Sequence, residues 1–140
     1  MFGLFKKIEP VEIDGVGTLA FKDSSWDANF QLDDREIEIS FDGDESGPDE
    51  FAISYYLKMK PKLSDSWKLA KEFTLVKLNE MSAPWGVNDS QFSLKGIVFH
   101  RENSFDKGHL SFWFDIIEDS NGSYYVSFVD EKPNYLHRDS

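Results

Sequence analysis

The chain has 140 residues and a mass of 16.2 kDa, a length that fits one domain. Twenty-six acidic side chains against 15 lysines and arginines give a formal charge of −11, which repels a phosphate backbone and argues against nucleic-acid binding. The absence of cysteine excludes disulfides, thiolate metal sites and thiol nucleophiles, and leads us to expect a reducing, cytoplasmic setting.

The amino terminus is apolar only briefly before Lys6 and Lys7, short of the roughly 7–15 apolar residues of a signal peptide. No later run approaches the roughly 20 apolar residues that span a bilayer, so no membrane partner is expected. Residues 11–13 and 18–22 read as short strands around the turn residues Gly15 and Gly17. Over 26–32, Trp26, Ala28, Phe30 and Leu32 alternate with Asp27, Asn29 and Gln31. Over 36–41, Ile37, Ile39 and Phe41 alternate with acids. Strict alternation predicts antiparallel strands with one wet face.

The stretch 48–81 is the only part with helical spacing. Pro48 suits a first helical turn, and Phe51, Tyr55 and Met59 recur along one stripe. Pro61 ends or kinks that helix, and a second helix over 66–81 carries Trp67, Ala70, Phe73, Leu75, Val76 and Leu78. Residues 82–89 read as a loop. Over 91–100 the apolar phase shifts at Gly96, the mark of a β-bulge. Residues 109–118 place Leu110, Phe112, Phe114 and Ile116 on one face, and Tyr124, Val126 and Phe128 form the next strand. Matching those faces favours a three-residue loop, 120–122, that pairs Ile116 with Val126 and Phe114 with Phe128. The expected architecture is a single α+β domain, ββββααβββ. It has an antiparallel sheet of about seven strands, two central helices on one face, and a core shared by Trp26, Phe30, Ile39, Phe51, Tyr55, Phe73, Phe112 and Phe114.

In order along the chain, Gly17-Thr18-Leu19 opens a strand, Trp26 lies in the next, and Gly47-Pro48 opens the helix. Over residues 15–59 this resembles small, largely uncharacterised bacterial domains, related groups of which are placed with immunity proteins that neutralise toxins. Those domains often carry Gln and Ala-Tyr in the first helix, from which Phe51-Ala52-Ile53-Ser54-Tyr55 departs. The resemblance implies a cytoplasmic protein whose partner is another protein, a toxin.

Residues 42–47 match the first half of a calcium loop, but Ile53 stands where the bidentate glutamate belongs, so an acidic turn capping the helix is the better reading. His100, Glu102 and His109 are the candidate metal ligands of an alternative reading, a small metal-dependent hydrolase. No phosphate loop, nucleophile elbow or dinucleotide fingerprint appears, so no catalytic residue or cofactor is assigned and a non-enzymatic role leads. Charge is segregated: residues 33–50 carry nine acids and one base, whereas 58–77 carry six lysines and two acids. Asp42, Asp44, Glu45, Asp49 and Glu50 are therefore candidates to steer a basic partner. Trp113 and Tyr125, out of phase with the core face, are candidates for its apolar anchor. A third reading is a structural homodimer joined through an edge strand or the Trp113 face.

Overall fold

Alternation and turn chemistry build most of the sheet. The computed structural model describes residues 8–81, 88, 91–104 and 108–139. The amino-terminal segment 1–7, most of the expected 82–89 loop and part of the 102–108 loop lie outside them. Strands β1 (Val11–Ile13), β2 (Gly17–Lys22), β3 (Ser25–Leu32) and β4 (Arg35–Asp44) form an antiparallel meander. Asp33, in the two-residue turn between β3 and β4, takes a left-handed φ of 53°, which the short polar side chain tolerates. A two-residue strand, β5 (Gly47–Pro48), folds back on β4.

The helical part follows, and two expectations about it need correcting. Pro48 lies before the helix in β5, and Asp49 is the N-cap, its carboxylate accepting the Ala52 N–H at 3.0 Å. The helical run is continuous over 31 residues instead of forming two separate helices. α1 (Glu50–Met59) and α2 (Leu63–Glu80) are joined by a 3-10 turn over Lys60–Lys62. Pro61 lies in that turn, where its missing N–H interrupts the helical hydrogen-bond ladder without ending the helix.

The chain then crosses to β6 (Phe92–Phe99), which pairs parallel with β4, and finishes with antiparallel β7 (Leu110–Ile116), β8 (Ser123–Val129) and β9 (Lys132–Asp139). Among the described residues the sheet thus has nine strands, not about seven, in the order β1-β2-β3-β4-β6-β7-β8-β9 with β5 on β4. β9 escapes sequence reading because Pro133, Asn134 and its charges suppress alternation, a composition tolerated on an edge strand. The expected bulge is present: the β6–β7 register shifts between Leu94 and Gly96, and a Cβ at Gly96 would meet the Glu38 carbonyl at 2.9 Å.

The three-residue loop is a further correction. Phe112 pairs with Val126 and Phe114 with Tyr124, leaving a loop over 117–122. The facing rule held, but it cannot choose among registers of equal parity. At Gly122 a Cβ would meet the Arg138 guanidinium at 2.6 Å and the Asp119 carboxylate at 2.7 Å, so a side chain there would push those two groups aside.

The core lies between the helices and one sheet face, as expected. Trp26, Ile39, Tyr55, Phe112 and Phe114 are buried, and Phe30, Phe51 and Phe73 pack against them. Trp67 of α2 stacks on Phe112 and tilts against Phe114, while Tyr56 of α1 meets Phe41 and Phe99 edge-on. No helix among the described residues is long and apolar enough to cross a membrane.

Candidate functional site

The acidic turn between β4 and α1 is held by its own carboxylates. Asp44 accepts hydrogen bonds from the Ser46 N–H at 2.9 Å and the Ser46 hydroxyl, which hold its pKa below the ordinary value. Asp49 caps α1, and its N–H donates to the Asp42 carbonyl at 2.7 Å. Asp42 reaches across the sheet, accepting the Arg101 N–H at 3.0 Å with His100 Nδ1 3.5 Å away. Burial pushes the Asp42 pKa up, but His100 and Arg101 outweigh it and hold the carboxyl below its usual range. Trp26 Nε1 donates to the Asp44 carbonyl at 2.9 Å, and Arg101 donates to the Gly43 carbonyl at 3.1 Å. A shallow cleft of about 320 Å³ results, lined by Asp44, Ser46, Pro48, Asp49, Glu50 and Arg101.

The five candidate acids therefore divide. Asp42, Asp44 and Asp49 fix the backbone of the turn, which agrees with the acidic-cap reading of residues 42–47. Glu45 and Glu50 are exposed and make no hydrogen bond or ion pair with the described residues.

The three proposed metal ligands do not converge. His100 and His109 do lie opposite each other, the His100 N–H donating to the His109 carbonyl at 2.9 Å. Their rings diverge: His109 packs on Phe51 and Tyr55 and its Nδ1 accepts the Asp130 N–H, while His100 turns toward Asp42 and Ser111. Glu102 is exposed. Among the described residues no three His, Asp or Glu side chains stand close enough to hold a metal ion.

A constellation that sequence reasoning missed lies on the sheet face away from the helices. His100 Nε2 is 2.8 Å from Ser111 Oγ, so Ser111, His100 and Asp42 form a chain of nucleophile, base and acid types. Ser111 also accepts the Trp113 indole N–H at 2.9 Å. The pattern is satisfied when Ser111 donates to Nε2 and Nδ1–H faces Asp42. Ser111 is 0 % exposed and His100 3 %, so both atoms are closed to a reacting carbonyl and the chain ties β4, β6 and β7 together. Alternation places Ser111 beside Trp113, but the β4–β6 pairing that brings Asp42 to His100 has no local signal.

The proposed apolar anchors belong to the same face. Trp113 and Tyr125 pair across β7 and β8 with ring centres 4.6 Å apart, and Tyr125 stacks on His137 of β9 at 5.0 Å. Tyr125 is buried and Trp113 half-buried, so neither protrudes as an anchor.

At the far end, Arg138 of β9 grips Asp119 with two hydrogen bonds of 2.7 and 2.9 Å, and the Tyr124 hydroxyl donates to the same carboxylate. The Arg138 bonds hold the Asp119 pKa at about 2, while burial and then the Asp119 bond push Tyr124 to about 12. The basic stretch is also engaged within the chain: Lys58 and Lys62 meet Glu131, Lys60 donates to the Gly15 carbonyl, and Lys77 pairs with Glu80. Comparison of the chain with protein-family models, curated proteins and solved structures found no match in any of the three.

Proposed function

We propose that this is a non-enzymatic, cytoplasmic protein-binding domain of the immunity type, whose acidic turn docks a basic partner such as a toxin. The observation that carries the reading is the division of labour among the acids. Asp42, Asp44 and Asp49 hold the turn rigid, and Glu45 and Glu50 stand exposed beside a cleft that this rigidity keeps open. Fixed charges of one sign on a rigid rim raise the rate of encounter with an oppositely charged surface, because attraction acts before contact. The immunity-type part of the reading rests on the resemblance carried by Gly17-Thr18-Leu19, Trp26 and Gly47-Pro48.

The test is kinetic. A partner captured by pull-down is mixed with wild type and with Glu45→Lys/Glu50→Lys by stopped flow at low and high salt. Steering predicts slower association at low salt and little difference at high salt, where charges are screened within about 8–10 Å or less. Equal association rates at both salts would overturn the assignment. Both side chains are exposed, so the double variant leaves the fold intact.

A further inference from the structure

Of the six asparagines in the chain, only Asn121 is followed by a glycine. In an Asn-Gly pair the glycine nitrogen can close a ring on the asparagine side-chain amide, because no Cβ on the second residue stands in the way. Asparagine is a thermolabile residue for this reason. Asn121 is exposed in the loop 117–122 between β7 and β8, so water reaches its amide.

The structure holds that pair on both sides. The Gly122 N–H donates to the Asp119 carbonyl at 3.2 Å, closing a turn over 119–122, and the Asn121 N–H is hydrogen-bonded to the Asp119 carboxylate. Arg138 of β9 grips both oxygens of that carboxylate, at 2.7 and 2.9 Å, and Gly122 is buried against the guanidinium. Ring closure needs the Gly122 nitrogen to give up its proton and swing toward Asn121 Cγ. An N–H that donates to a carbonyl in a pinned turn does neither until the turn opens. β9 controls that opening. It is an edge strand, paired by β8 alone among the described residues, and edge elements open at lower free energy than strands paired on both sides.

We propose that the Asn121–Gly122 bond is a modification site, a site of spontaneous deamidation that the docking of β9 through Arg138 keeps closed. The step needs only water. The Gly122 nitrogen bonds to Asn121 Cγ, the Cγ–Nδ2 bond breaks, and ammonia leaves with the Gly122 proton, giving a cyclic imide. Water then opens the ring at Cγ, which gives aspartate, or at the main-chain carbonyl, which gives isoaspartate. Nothing is oxidised or reduced, and either product adds one negative charge to the turn.

Ageing in mildly alkaline buffer, followed by peptide mapping with an isoaspartate assay, tests this. The samples are the wild-type chain, Arg138→Gln, and a synthetic peptide of residues 117–124. The peptide should deamidate at least about tenfold faster than the wild-type chain, because in the chain opening must precede attack. Arg138→Gln should close most of that gap, with the gain confined to Asn121. Hydrogen exchange over β3 and β4 separates loss of the clamp from loss of the fold. If those amides lose protection, Tyr124→Phe takes the place of Arg138→Gln: it removes one hydrogen bond to the Asp119 carboxylate and should also deamidate faster than wild type. A wild-type chain that deamidates as fast as the peptide, or a folded variant no faster than wild type, would overturn the inference.

Discussion

The sheet face turned away from the helices is two surfaces. On β3 and β4, Asn29, Gln31, Glu36 and Glu38 are exposed and alternate with core residues, the pattern of a solvated antiparallel face. On β7 and β8 the corresponding positions are Ser111, Trp113, Tyr125 and Ser127. Three of these are buried, and the Ser127 hydroxyl finds no hydrogen-bond partner among the described residues. Short hydroxyls beneath stacked rings make the second surface dry, while long acids make the first one wet. The difference shows that one sheet can be half-solvated along its width when side-chain type changes from strand to strand.

The largest effect should come from the face the two halves share. Phe112 is fully buried against Trp67 and Phe128, so Phe112→Ala should lose about 3–5 kcal/mol in urea unfolding. A loss under about 1 kcal/mol, as at surface positions, would show that the assignment of faces is inverted.

Next comes the clamp that ties β9 to the dry half. Asp119→Asn removes the charge that Arg138 grips and should cost about 1.5–3 kcal/mol near neutral pH. The pH dependence follows in sign. The folded pKa of about 2 lies below the ordinary 3.8, so Asp119 contributes stability above pH 3.8 that is lost as pH falls toward 2. The variant should therefore lose less stability than wild type between pH 4 and pH 2. Parallel acid profiles would exclude the clamp as a source of that stability.

What was legible in the sequence follows the same division. Alternation gave β3, β4 and the inner face of β7 and β8, because each position there answers to a single core. The chain of Asp42, His100 and Ser111 was hidden, since it depends on a parallel crossover joining residues far apart in sequence. Burial of Tyr125 was hidden as well: phase shows that it points away from the core, and only its neighbours Trp113 and His137 make that side dry. Of the candidate acids, the cap at Asp49 could be read locally, but the hold of Asp42 on Arg101 could not.

On the dry half, Ser111→Ala should cost about 1–3 kcal/mol, because it leaves His100 Nε2 and the Trp113 indole N–H without their shared partner. The indole emission of Trp113 should shift with it. Replacement of Ser127 offers the contrast: its hydroxyl has no partner among the described residues to lose, so Ser127→Ala should be neutral or slightly stabilising. If Ser111→Ala proves equally harmless, the hydrogen bonds to Ser111 are not holding the strands.

The smallest effect belongs to the wet half, and it sharpens the comparison by its absence. Glu38 pairs with Lys22 at 3.3 Å, with both side chains about half exposed or more. Water screens such a pair, and holding two long side chains in one geometry opposes the attraction, so measured values are typically about 0.2–1 kcal/mol. The neighbouring acid Glu36 adds like-charge repulsion on the same face, which removing Glu38 relieves. These terms oppose each other, and Glu38→Gln should leave stability within about 0.5 kcal/mol of wild type, the usual range for surface substitutions. The residual difference should shrink further at high salt, where exposed charges are screened. A loss above about 1 kcal/mol that persists in salt would mean that Glu38 is held in a desolvated network, and the outer face of β3 and β4 would then be as dry as that of β7 and β8.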